Sequence, residues 1–132
     1  MADEQLQVEL VAAQAPVWSG AASFVLARTT DGEIGILPGH APVLSVLDAS
    51  MVLIRSDDGD TQVAAVDGGF LSVANNRVAI LSEQALMSGD IDAGQARQDL
   101  EGDAQSVEDD EEEAERRRRW AEARISAVDK AG

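Results

Sequence analysis

A chain of 132 residues holds one main domain and an appendage rather than two large domains; it is 45% hydrophobic and only 3% aromatic, so its core is packed from Val, Leu, Ile and Ala. A formal net charge of −15 repels nucleic acid and anionic lipid, which excludes both as expected direct partners. With no cysteine and one histidine there is no disulfide framework, no thiolate nucleophile and no Cys-based zinc site.

The opening MADEQLQ carries acids where a secretory signal has a basic segment and an apolar run, so no ordinary signal is predicted. From Gln5 the pattern alternates: Leu6, Val8 and Leu10 share one side and Gln7 and Glu9 the other, the period of a half-buried strand. Further short runs follow at residues 22–30, 33–37, 42–47, 51–55, 62–66, 70–74 and 77–81. Turn signals stand between them: Asp31-Gly32, Pro38-Gly39, Asp58-Gly59, Gly68-Gly69 and Asn75-Asn76 all tolerate positive φ. Asp58-Gly59 and Asn75-Asn76 read as hairpin tips. Short strands at this spacing predict an antiparallel β-sandwich or barrel over residues 1–87.

After Gly89 the β-branched residues give way to Ala, Gln, Glu, Asp and Arg, and helix propensity replaces strand propensity. Residues 88–132 are predicted as a two-helix hairpin, with Asp90 capping a first helix near Ile91 and Gly102, Asp103 and Ser106 marking a stop and a fresh start. The overall expectation is an α+β chain. In the second helix acids from Glu108 to Glu113 precede Arg116, Arg117, Arg118 and Arg119, the order that complements the helix dipole. Glu112 with Arg116, Glu113 with Arg117 and Glu115 with Arg119 have i,i+4 spacing, each pair contributing about 0.2 to 0.5 kcal/mol. Its predicted apolar face is thin, made of Val107, Ala114, Ala121, Ile125 and Val128 with Trp120 to one side, so docking on a sheet is expected to be weak. No apolar stretch approaches the roughly 20 residues that span a bilayer, and association with a membrane is expected to go through a partner.

A catalytic constellation is hard to assemble. Without cysteine or tyrosine, acid and base work would rest on carboxylates, and these fall at turns and on outward faces, as solvated surface residues do. A small carboxylate-dependent β-sandwich enzyme is the alternative that this leaves. His40, in PGHAP, has no second histidine to complete a metal site, and its expected role is structural or at an interface. Gly68-Gly69 is not a phosphate loop, and no cofactor motif occurs. The tract Arg116 to Arg119 follows an acidic block, which favours a charged helix face or a contact with an acidic protein surface over nucleic acid.

The segments GEIGILPGHAPVLSVL at 32–47 and DGGFLSVANNRVAILSEQA at 67–85 closely resemble the ε subunits of bacterial F-type ATP synthases, and LQVELVAAQAPVWSG at 6–20 fits the first strand of that family. RTTDGEIGILPGH and the acidic first helix are most similar to actinobacterial members. The resemblance implies a sandwich of about ten strands that binds the γ subunit and rests on the polar loops of the c-ring. It further implies a helical hairpin that moves between folded and extended states and, when extended into the α/β catalytic head, restrains ATP hydrolysis. Such a chain is non-catalytic and lies peripherally at the cytoplasmic face of the bacterial membrane.

Matched by motif, Glu33, Ile34, Gly35, Ile36, Pro38, Gly39 and His40 are implied to lie toward the c-ring, and Arg116, Arg117, Arg118, Arg119 and Arg124 to serve the inhibitory arm. Asp67, Gly68, Gly69 and Phe70 match the GG turn of the family and are implied to matter for folding alone. Some members bind ATP through I/L-D-x-x-R-A with an upstream acid. Glu83, Ile91 and Asp92 match that pattern, but Gln95 stands where it has an arginine. Arg97 lies about 200° around a helix from position 95 and does not replace it. An ATP-sensing module is the second alternative, with binding expected to be weak.

Overall fold

The first alternation folds as its period predicts: Leu6, Val8 and Leu10 are buried while Gln7 and Glu9 are exposed. The computed structural model describes residues 5–105 and 111–131. Its strands are β1 Leu6–Ala12, β2 Pro16–Thr29, β3 Gly32–Ile36, β4 Val43–Ser56, β5 Thr61–Ala74, β6 Arg77–Ser82 and β7 Ala85–Met87. A 3₁₀ turn at Ser88–Asp90 leads to helices α1, Ala93–Gln105, and α2, Glu111–Ala131.

The strand order is β1-β6-β5-β4-β2-β3, with β7 on β5 and a further pairing of β1 with β2. Strands β1, β6, β5, β4 and β2 therefore close into a circuit, and closure removes the exposed edges of an open sheet. One ladder departs from the antiparallel expectation: β1 runs parallel to β6, from Gln7 opposite Arg77 to Ala12 opposite Ser82. The tight return at Ala13 to Ala15 commits one edge of β1 to β2 and leaves the other free for β6. Inside the circuit Leu6, Leu10, Ile36, Ile54, Leu71 and Ile80 are fully buried, a core of aliphatic side chains as the composition requires.

Seven strands stand where about ten were expected, because β4 and β5 are each 14 residues long and join runs that read as separate. The Gly68-Gly69 pair is not a chain reversal. It is a bend inside β5, with φ of 73° and 112°, and the ladder resumes in register on either side, Leu47 opposite Gly69 and Ala49 opposite Asp67. The true reversal at Asn75-Asn76 has both residues in the left-handed region, φ 51° and 62°, as a two-residue hairpin turn demands.

The apolar run Val63-Ala64-Ala65-Val66 is covered on both sides. Ala64 and Val66 face the core, while Val63 and Ala65 pack under α2 with Ala123 and Ala127 and the partly buried Met51, Ile91 and Trp120. The docked face of α2 thus differs from the predicted one. Ala121, Ala123 and Ala127 are buried while Ile125 and Val128 are only partly so, and Trp120 faces the sheet instead of lying aside. Alanines at several helical spacings define no single stripe, and the one large ring decides the rotation.

The first helix also begins later than expected. Asp90 lies in the 3₁₀ turn, and Asp92 is the cap, its Oδ1 accepting the Gln95 N–H at 3.0 Å. Gly102 does not stop α1, which continues to Gln105. The proposed restart at Ser106, Val107 and the acids Glu108 to Asp110 lie outside the described residues. Among the described residues no helix is long and apolar enough to cross a membrane.

Candidate functional site

Glu33 and Gly35 are exposed on β3, Ile34 is partly buried, and Ile36 is fully buried in the core, so the Ile36 side chain is not available to a partner. Alternation dictates that outcome, since Ile34 and Ile36 share the inward face, Ile34 packed against the core at its margin and Ile36 within it. Beyond β3 the chain turns at Leu37 to His40, closed by the His40 N–H on the Leu37 carbonyl at 3.1 Å. Gly39, with φ of 88°, donates its N–H to Asn76 Oδ1 at 2.7 Å. The PGH loop is thereby tied to the β5–β6 turn. His40 Nδ1 lies 2.6 Å from the Ala41 carbonyl; a carbonyl only accepts, so Nδ1 carries the hydrogen. Glu33 stands opposite Arg28 near the other end of β3, and the structure does not bring it together with His40.

A larger feature is not expected from the sequence, where Phe70 matches a turn implied to serve folding alone; its side chain is instead exposed. Val46, Phe70 and Leu81 are each about half exposed, at 49%, 53% and 49%. They form one row across three strands, Val46 opposite Phe70 and Phe70 opposite Leu81. Leu44, two residues along β4, is 74% exposed on the same side. The signal was present as apolar doublets, Val43-Leu44, Val46-Leu47, Phe70-Leu71 and Ile80-Leu81. In a strand with one buried face, each doublet places one apolar side chain on the outside.

On α2 the tract Arg116 to Arg119 is exposed. Arg117 meets Glu113 at 3.9 Å, and Glu115 receives both Arg118 and Arg119, the latter at 3.3 Å. The expected pairing of Glu112 with Arg116 does not form among the described residues, whereas the expected pairs of Glu113 with Arg117 and Glu115 with Arg119 do. The hydrogen bond from Arg118, with those from Arg119, holds the Glu115 carboxyl below its ordinary pKa.

Arg124 is different from the tract, with a side chain only 11% exposed. Its Nη2 donates to Asp99 Oδ2 at 2.9 Å, its Nε to the Trp120 carbonyl at 3.3 Å, and its guanidinium sits 5.4 Å from the Trp120 ring centre. Asp99 is bonded a second time, by Gln95 Nε2 on Oδ1 at 2.8 Å. The Gln95 bond first, then Arg124, lowers the Asp99 pKa. An open cleft of about 570 Å³ lies beside this group, lined in part by Gln84, Gln98 and Gly102.

The residues of the nucleotide motif do not converge on that cleft as a phosphate site. Asp92 caps α1, Ile91 packs under α2, and Glu83 is exposed at the turn between β6 and β7. Gln95 is engaged with Asp99.

Comparison with known proteins agrees with this architecture. Residues 5–88 match the family model described as the ATP synthase, Delta/Epsilon chain, beta-sandwich domain. The chain is similar to the ATP synthase epsilon chain of Streptomyces avermitilis, 48% identical over 94% of this chain and 95% of the relative. It is also similar to that of Rhodococcus jostii, 47% identical over 96% and 98%. Among solved structures, a chain of the Euglena gracilis mitochondrial ATP synthase OSCP/F1/c-ring assembly shares the fold with a TM-score of 0.72 at 22% identity, covering 96% of this chain and 78% of that one.

Proposed function

We propose that this chain, which belongs to the ATP synthase ε-chain family, works as a non-catalytic stalk subunit that couples the γ subunit to the c-ring and restrains ATP hydrolysis with its helices. The observation that carries the reading is the row Val46, Phe70 and Leu81 with Leu44 beside it. Four large apolar side chains on one outer sheet face are costly in water and mark an interaction surface. We assign the γ subunit to that face.

The PGH loop, with Pro38, Gly39 and His40, is assigned to the polar loops of the c-ring, together with Glu33, Ile34 and Gly35 on the preceding strand. The tether from Gly39 to Asn76 supports this, because it holds the loop in one conformation at an end of the sandwich. Residues 1–87 and 88–132 form the two functional units, one coupling and one regulatory. The protein would lie peripherally at the cytoplasmic face of the bacterial membrane.

The regulatory part of the reading rests on how the helices are held. α2 meets the sheet through alanines and one tryptophan, so little apolar area is lost when it leaves, at about 25 cal/mol per Å². The Arg116 to Arg119 tract is exposed in the docked state, positioned to meet acidic segments of the α/β head when the arm extends. ATP binding by the free chain would be weak, since Gln95 offers an amide where a phosphate needs a cation. Affinity purification of the tagged chain tests the whole reading: copurification of γ and the catalytic subunits is expected, and isolation of a free chain alone would overturn it.

A further inference from the structure

The two contacts that hold the helices differ in chemistry. α2 lies on β4 and β5 through an apolar cluster, Met51, Val63, Ala65, Trp120, Ala123 and Ala127. α1 has Ala96 as its one fully buried hydrophobic side chain among the described residues. Beside that small apolar contact the tie to α2 is polar: the Asp99 carboxylate takes Arg124 from α2 and Gln95 from its own helix, while Arg124 rests against the Trp120 ring.

The geometry points to a latch: we propose that Asp99 and Arg124, set by Gln95 and Trp120, close the helical hairpin, and that their separation releases α1 while α2 stays on the sheet. This rests on the reading above that the arm moves, and it adds an order to the movement. An apolar contact is not weakened by charge screening, whereas an ion pair that reaches water is. Asp99 keeps 40% of its side chain exposed while Arg124 is nearly covered, so the pair breaks from the α1 side. Once α1 swings away, the Arg124 guanidinium and the Trp120 ring lose their cover together. The α1 face of the hairpin is then open to a partner before α2 has given up its apolar contact. Arg124, assigned by sequence to the inhibitory arm, is in this state a closing element first and an arm residue only after release.

Hydrogen exchange on the free full-length chain tests the latch. In Asp99→Asn, residues 93–102 should exchange about fivefold faster, as expected for loss of a partly exposed ion pair. Residues of β4 and β5 should be unchanged, and in a Trp18→Phe background the emission of Trp120 should shift to the red. The charge-exchanged double variant, Asp99→Arg with Arg124→Asp, should recover most of the protection. Unchanged α1 exchange in both Asp99→Asn and Arg124→Gln would overturn the proposal, and so would equal acceleration in β4 and β5, which would make the pair part of the global fold. Hydrolysis by the assembled complex reports on the arm reading separately. Faster α1 exchange with unaltered hydrolysis would keep the latch and remove the brake.

Discussion

Gly69 approaches Leu81 so closely that a Cβ built on it would stand 1.9 Å from the Leu81 carbonyl oxygen. Two demands therefore meet at one residue, a φ of 112° and a backbone in the space of a side chain. Gly69→Ala should destabilise the fold by about 3 kcal/mol or more, the scale of special-backbone sites compounded with a backbone clash. Gly59 is the control. Its φ is 93° but nothing lies within 4 Å of a Cβ there, so Gly59→Ala should cost about 1 kcal/mol from backbone conformation alone. Urea unfolding of the two variants distinguishes them, and equal midpoints would show that the close approach does not matter.

Stability should depend on pH in two opposed ways. A net charge of −15 at pH 7 is relieved as pH falls toward the isoelectric point near 4.1, which favours the compact state. The lowered carboxyls act in the other direction. Asp99 is held down by Gln95 and Arg124, and Asp58 by the Ser56 hydroxyl and the Asp60 N–H. A carboxyl whose native pKa lies below its unfolded value stabilises the fold fully above the unfolded value, about 3.9 for Asp, and that contribution is lost as pH falls through the native value. Helicity at 222 nm should hold to near pH 4 and fall below it, and Asp99→Asn should flatten the lower limb. An unchanged acid limb in that variant would contradict the role given to Asp99.

Much of the fold was legible because strands with one buried face alternate, as Leu6, Val8 and Leu10 do. The continuity of β4 and β5 was hidden for a physical reason. Asp48-Ala49-Ser50 and Asp67-Gly68-Gly69 both look like loop chemistry, yet they lie opposite one another in the ladder, which continues in register past the positive φ of Gly68 and Gly69. A residue that eases a bend and one that reverses the chain have the same local requirement, positive φ or a small side chain, and only the pairing partner tells them apart. The Asp99 and Arg124 contact spans 25 residues and was out of reach of local spacing. The nearer pairs Glu113 with Arg117 and Glu115 with Arg119 were readable from the i,i+4 rule. At the surface, nothing in the runs at 42–47, 70–74 and 77–81 singles out Val46, Phe70 and Leu81, because the hydrophobic count of a strand does not say which apolar residues face a partner.

The arm should act as a brake. The pairs of Arg117 with Glu113 and of Arg119 with Glu115 are exposed while the arm is docked, worth a few tenths of a kcal/mol each, so a desolvated contact with an acidic surface would outweigh them. Replacing the four arginines with alanine should raise ATP hydrolysis by the assembled enzyme severalfold and leave synthesis largely intact. Steady-state hydrolysis and synthesis in inverted vesicles check this. Unchanged hydrolysis, with the subunit present in normal amount, would leave the tract as a solvated helix face.

The apolar row carries the central claim, and the affinity of the chain for γ measures it most directly. Phe70 stands between Val46 and Leu81 with its ring about half exposed, so an acid there loses partner contacts without opening the core. Phe70→Asp combined with Leu81→Asp should weaken binding to purified γ at least a hundredfold, about 2.7 kcal/mol, as expected for losing a pair of central apolar anchors. The urea midpoint of the free chain should move little. A dissociation constant within about twofold of the unaltered chain, with folding intact, would contradict the assignment of this face to γ.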